Sequence, residues 1–200
     1  SPGSTFKIVV ATAALEEGLI TPEKTVYCPG GGTFYGRFFK CHLAGGHGNV
    51  DLRHAIEKSC NTYFYTVGNM LGVDKINKWA TLFGLGVKSG IDLPNEVQGL
   101  VPSTAWKAQY TKEKKWYAGE TISVAIGQGQ GSVTPISLAV YTATLANGGT
   151  RVTPHLIKAV DDGRELKPVA EPAPQSQVVV SPEKLQAIRD GMWLVVNGGS

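Results

Sequence analysis

Ser4 and Lys7 stand three residues apart at the head of an apolar run, Phe6 to Leu15, and the pair is suited to nucleophilic chemistry. Side chains three apart lie on one helical face, so the Lys7 amine can reach the Ser4 hydroxyl. Burial disfavours the ammonium form, and a lysine held neutral can take the hydroxyl proton as serine attacks a carbonyl. The helix N-terminus adds a positive dipole end and free N–H groups where negative charge would develop. A Ser-x-x-Lys spacing by itself recurs by chance. Its weight here comes from its place on an apolar helix directly after Pro2-Gly3.

A second group, Ser59-Cys60-Asn61, falls between two expected helices. A serine and an asparagine two apart on a short turn can face one cleft, with Ser59 relaying a proton and Asn61 bonding Lys7 and a substrate amide. The plainer reading makes Asn61 the cap of a helix that begins at Thr62. A third group is Cys28, Cys41, His47 and Cys60, separated by twelve, five and twelve residues. These are the residue types of a closed Cys₃His zinc site, at spacings wider than those of zinc fingers. Three of them lie in a loop with little else to pack, and Cys60 would tie that loop to the Ser59–Asn61 turn. Neighbouring His42 is an alternative to His47. The rival is a Cys28–Cys41 disulfide with Cys60 free, which an oxidising compartment favours; the odd cysteine count speaks against a simple disulfide framework.

The elements that must carry these residues follow from pattern. Thr5–Glu17 reads as a helix apolar on nearly every side, hence buried, with Gly18 at its C-terminal cap. Residues 21–49 read as loop. Asp51 caps a helix over Leu52–Lys58, a second runs Thr62–Leu71, and Asp74 caps a third that ends at Gly84. Gly84–Trp116 reads as irregular, and Thr121–Ile126 as a short buried segment before Gly127-Gln128-Gly129-Gln130-Gly131. Thr134-Pro135 opens a helix to Ala146. Strand-like Val152–Val160, a turn at Asp161–Gly163 and a last helix Glu183–Val196, capped by Ser181-Pro182, complete the chain.

Composition excludes more than it names. The net charge of +3 gives no footprint for nucleic acid. One basic cluster, Lys107, Lys112, Lys114 and Lys115 among Trp106, Tyr110, Trp116 and Tyr117, reads as a solvated loop with snorkelling stems rather than a stacking platform. No apolar run is long enough to span a membrane. The glycine run is not a P-loop, since no Gly-Lys-Ser/Thr follows, so a nucleotide-binding domain is the weakest reading.

The pairing of Ser4-Thr5-Phe6-Lys7 with Ser59-Cys60-Asn61 resembles the penicillin-binding proteins and serine β-lactamases. Ser1-Pro2-Gly3, Gly90-Ile91-Asp92-Leu93-Pro94 and Ile126-Gly127-Gln128-Gly129 with Thr134-Pro135-Ile136 narrow this to class B penicillin-binding proteins. Trp106 and Trp116-Tyr117 resemble the elongation, or rod-shape, branch. The likeness covers essentially the whole chain. It implies a mixed α/β transpeptidase fold, mostly the helical lobe (1–148) plus part of the antiparallel-sheet lobe (149–200). It implies a serine D,D-transpeptidase acting on peptidoglycan stem peptides and inhibited by β-lactams. The implied catalytic residues are Ser4, Lys7 and Ser59, and Asn61 binds substrate. No cofactor is implied for catalysis, so zinc on Cys28, Cys41, His47 and Cys60 would be structural. The glycine run becomes a loop under the cleft that lets backbones approach closely. Expected partners are a glycosyltransferase and elongation-complex proteins, at the periplasmic face of the inner membrane, anchored by a segment outside this chain. The family's third motif, Lys-Thr/Ser-Gly, is absent from the sequence and is expected just beyond the last helix, which leaves the site here incomplete. A D,D-carboxypeptidase or β-lactamase-like hydrolase would use the same residues with water as acceptor, and a non-catalytic interaction module is the remaining alternative.

Overall fold

A computed structural model describes residues 1–198. At its centre lies α1, Lys7–Glu16, preceded by a 3₁₀ turn over Gly3–Phe6. Val9, Val10, Ala11, Ala13, Ala14 and Leu15 are all buried. A helix apolar all round has no face to give to water, so other elements must enclose it. Four helices do so: α2 (Leu52–Glu57), α3 (Asn61–Leu71), α4 (Val73–Leu82) and α8 (Pro182–Asn197) all pack on α1. Between α4 and α8 come α5 (Thr104–Tyr110), α6 (Ala118–Val124) and α7 (Pro135–Ala146).

Local signals place most of these ends. Asp51 caps α2 by accepting from the His54 N–H at 2.9 Å. Thr134 caps α7 by accepting from Ser137 N–H, with Pro135 at the first helical position. The start of α8 is held differently: the Glu16 carboxylate, at the end of α1, accepts from the Ser181 N–H at 2.9 Å. A distant carboxylate there complements the helix dipole and ties the two helices together.

The strands form four antiparallel pairs: β1 (Val26–Cys28) with β4 (Gly48–Val50), β2 (Gly31–Phe34) with β3 (Arg37–Lys40), β5 (Thr150–Arg151) with β8 (Ser176–Gln177), and β6 (Ala159–Asp161) with β7 (Leu166–Pro168). Within residues 21–49, expected to be loop, the chain forms two nested ribbons, the β2–β3 hairpin lying between β1 and β4, while 21–25 and 41–47 are without strand. The β2–β3 turn places both Tyr35 and Gly36 at positive φ, the two-residue hairpin geometry that matches strand twist. Of the expected strand Val152–Val160, only Ala159 and Val160 lie in a strand, β6.

Three further expectations are corrected. Asp74 lies inside the first turn of α4 and does not cap it; its carboxylate instead accepts from Thr104 N–H and hydroxyl at 2.8 and 2.7 Å, holding the start of α5. That helix lies in the stretch expected to be irregular. Lys107, expected in a solvated loop, is 1% exposed. It is paired with both Glu120 oxygens at 2.6 Å and flanked by the Trp116 and Tyr117 rings.

Candidate active site and thiol cluster

The site is assembled where the head of α1 meets the turn between α2 and α3. That turn ends α2 in a Schellman motif: Ser59 N–H donates to Ile56 O at 3.0 Å and Cys60 N–H to Ala55 O at 2.9 Å. The residue at its left-handed position is Ser59, with φ +48°, where glycine is usual. Holding a serine there costs roughly 1–2 kcal/mol. The strain turns both oxygens of Ser59 toward α1.

Lys7 receives them. Its Nζ donates to Ser59 O at 2.7 Å, to Ser59 Oγ at 2.9 Å and to Asn61 Oδ1 at 2.6 Å. Asn61 is the first residue of α3, and its side-chain oxygen is taken up by Lys7, so it does not cap the helix. Ser59 Oγ in turn lies 2.9 Å from Ser4 Oγ. Among the described residues, Nζ makes no hydrogen bond to Ser4. The connection expected to be direct runs through Ser59, and because hydroxyls both donate and accept, Ser4, Ser59 and Lys7 form a path for one proton.

Lys7 is 2% exposed, and its pKa is lowered to about 8 because burial penalises the ammonium. Charge on Cys41 and Cys60 works in the opposite direction. A lysine titrating there is within reach of the neutral form a base requires. Ser4 itself is exposed, at the edge of a cavity of about 290 Å³ lined by Lys7, Ile8, Ser59, Met192 and Val195.

The glycine run lies beneath Ser4. Gly3 N–H donates to Gly127 O at 3.0 Å. Gly127 has φ +69°, and a Cβ there would sit 2.2 Å from Gly3 O and 2.8 Å from Phe6 Cβ. Any other residue must push the Ser4 turn away.

Cys28, Cys41, His47 and Cys60 converge on the far side of the same turn. Their ligand atoms all lie within 4.8 Å of one another, with His47 Nδ1 3.6 Å from Cys28 Sγ and 3.5 Å from Cys41 Sγ. A tetrahedron with bonds of about 2.0 Å to nitrogen and 2.3 Å to sulfur has edges of about 3.5–3.8 Å, so the donor set fits zinc. The three cysteines are buried free thiols; the Cys28–Cys41 disulfide is not formed. Burial pushes the Cys60 thiol up to about 12. At Cys28 burial acts in the same sense but is outweighed by hydrogen bonds from Thr62, Gly30 and His47, which bring it down to about 6. His42, the alternative ligand, stays outside, 3.9 Å from Cys41 Sγ. Thr62, whose Oγ1 lies 3.1 Å from Cys28 Sγ, was not singled out from sequence. Its only signal there is its place directly after Asn61.

The sequence matches the family described as "Penicillin binding protein transpeptidase domain" over residues 1–200. Peptidoglycan D,D-transpeptidase MrdA of Acinetobacter baumannii is 37% identical over 201 residues, covering 100% of this chain and 30% of that protein. Among solved structures, Pseudomonas aeruginosa PBP2 in complex with WCK 5153 gives a TM-score of 0.90 at 38% identity, over 99% of this chain and 44% of that one. Helicobacter pylori PBP2 in complex with MreC gives 0.84 at 34% identity, over 98% and 35%. The chain thus spans about 30% of the length of the curated relatives it matches.

Two outcomes follow from this geometry. The rate at which an activated ester acylates Ser4, read by mass spectrometry, rises with pH and levels off above about 8, as Lys7 loses its proton; a flat profile from pH 6 to 9 contradicts the role given to the buried amine. Gly127→Ala lowers that rate by roughly a hundredfold, the scale of an ångström-sized misplacement. Gly119→Ala, where an added Cβ meets nothing within 4 Å, leaves it unchanged.

Proposed function

The chain belongs to the penicillin binding protein transpeptidase family, and from that premise we propose that Ser4 is the nucleophile of a D,D-transpeptidase that cross-links peptidoglycan stem peptides. The observation that carries this reading is the unbroken path from Ser4 through Ser59 to Lys7, at 2.9 Å for each step, with Asn61 holding the amine. Ser4 Oγ attacks the carbonyl between the two terminal D-alanines as its proton passes through Ser59 to neutral Lys7. The proton is returned to the departing D-alanine amine, leaving the stem peptide esterified to Ser4. An amine from a neighbouring strand then attacks the ester, gives up its proton along the same path and frees Ser4. A β-lactam meets the same serine, and its opened ring remains attached as the acyl group. Asn61, bound to Lys7 through Oδ1, keeps its amide N–H₂ for the substrate backbone.

The resemblance to MrdA proteins and to a PBP2 solved with MreC supports placing the whole protein in cell-wall elongation, with a glycosyltransferase and MreC-like proteins as partners on the extracytoplasmic side. No helix among the described residues is long and apolar enough to cross a membrane.

A second element of the reading is that Cys28, Cys41, His47 and Cys60 hold one structural zinc ion. It is supported by the convergence of four suitable donors, all within 4.8 Å of one another, three of them buried. Binding there would hold Cys60, and with it Ser59 and Asn61, against the loop.

Labelled penicillin tests the nucleophile: the whole protein becomes covalently tagged, and Ser4→Ala is not. Tagging of the variant at the wild-type rate would sink the assignment. Metal analysis tests the zinc: one ion per chain is expected, with three thiols becoming reactive on chelation. Less than about half an equivalent, with two cysteines unreactive until reductant is added, returns the cluster to the disulfide reading.

A further inference from the structure

The thiol cluster is enclosed on most sides, which leaves open how a metal reaches it. Cys28, Cys41 and Cys60 are 1%, 6% and 0% exposed. Thr62 backs Cys28, and the Ser59–Asn61 turn backs Cys60. His47 is the one member of the cluster that is partly open. Over it lies His42, with ring centroids 5.0 Å apart. His42 is exposed, yet its Nδ1 is 3.9 Å from Cys41 Sγ. Both histidines line one cavity of about 500 Å³, together with Leu43, Gly46, Lys58 and Ser59.

We propose that His42 is a transfer ligand: a donor at the mouth of the cluster that takes zinc from solution, hands it inward and receives it on exit. The inference rests on the zinc reading above. His42 does not belong to the resident set, because four donors already converge without it. Its nitrogen is close enough to Cys41 that a small rotation brings it onto an ion held there, and zinc accepts a fifth ligand in passing. The step is a ligand substitution. On entry the ion sheds its water ligands, and each of the three thiols gives its proton to solvent through the cavity as its sulfur binds the metal. The bond from the metal to His42 breaks as the bond to His47 forms; on exit water and protons return in the reverse order. Both imidazoles stay neutral donors and no electron moves. Glu57 lines the same cavity, but of its lining residues outside the resident set it is His42 whose nitrogen lies 3.9 Å from a cluster sulfur, so His42 is the donor placed to carry the metal across the gap to the buried thiols.

The test uses the whole protein loaded with zinc, or with cobalt(II) as its spectroscopic stand-in, and reads occupancy and exchange separately. Wild type gives the absorption of a tetrahedral cobalt–thiolate centre, and His42→Ala gives the same spectrum and stoichiometry. Transfer of zinc from the variant to a chromophoric chelator is slower by about tenfold or more, the size of effect that residues just outside a metal's ligand set have on affinity or activity. His42→Asp, which restores a donor, recovers most of the rate. Leu43→Ala, which alters the same mouth without touching a donor, leaves it unchanged. An unchanged or faster rate in His42→Ala overturns the inference, since the residue then merely covers the cluster. A changed cobalt spectrum in that variant also overturns it, by making His42 a resident ligand. Absence of the thiolate absorption in wild type is a separate failure, that of the zinc reading itself.

Discussion

A buried lysine amine with three oxygen acceptors at hydrogen-bond distance is the constraint on which the rest of this structure depends. Lys7 sits inside a helix whose remaining residues are apolar, and an ammonium there is costly unless it is fully bonded. All three acceptors come from two residues of one turn, Ser59 and Asn61. Any displacement of the turn therefore leaves a polar group unpaired in the core, which is far more costly than the loss of a surface contact. The same burial that makes the turn indispensable also moves Lys7 toward neutrality. Stability and chemistry draw on one set of contacts.

The turn has two faces. Ser59 and Asn61 point their oxygens at α1, while Cys60 between them is wholly buried on the side of the thiol cluster. A left-handed residue followed by an extended one gives this alternation, and it explains why a serine is held in a conformation that glycine would adopt freely. Glycine at Ser59 would relax the backbone but remove the hydroxyl that joins Ser4 to Lys7. The strain is local and is offset by the Schellman hydrogen bonds and by the acceptors that Lys7 demands.

The helices that carry the site were legible because their signals are local. The apolar run of α1, the Asp51 cap and the Thr134-Pro135 opening each act within a few residues, and Ser4, Lys7, Ser59 and Asn61 do come together. What was not legible depended on distant partners. The short ribbons β1–β4 contain glycines at Gly31, Gly32 and Gly48 that weaken any strand pattern, and their pairing is settled by contacts with α3. Asp74 resembled a cap for its own helix because the Thr104 N–H it serves lies thirty residues away. Lys107 looked solvated among other lysines, and its burial rests on partners further along the chain, Glu120 with Glu113 and the Trp116 and Tyr117 rings. The relay through Ser59 was hidden as well, since helical spacing alone brings Lys7 near Ser4 and cannot reveal that its amine is already occupied.

That ion pair, buried at its Lys107 end, bears on the site through α6. Lys107 holds Glu120, and Glu120 also accepts from the Tyr117 N–H at 2.9 Å, so the N-terminus of α6 is fixed at one point. Further along, Ala125 lies against Gly68 of α3, where an added Cβ would fall 2.2 Å from its own, and two residues later Gly127 meets Gly3. The end of α6 and the residues that follow it thus touch α3, which carries Asn61, and the turn that carries Ser4, each at backbone-close range. Contacts of this kind do not yield gradually, because a packed interior has no room for partial displacement. The distance between Ser4 and the Ser59–Asn61 turn is therefore set from below by α6 and the residues that follow it, as well as by the hydrogen bonds between them. A lesion at Lys107 would reach Ser4 through that helix without altering any residue that takes part in the chemistry.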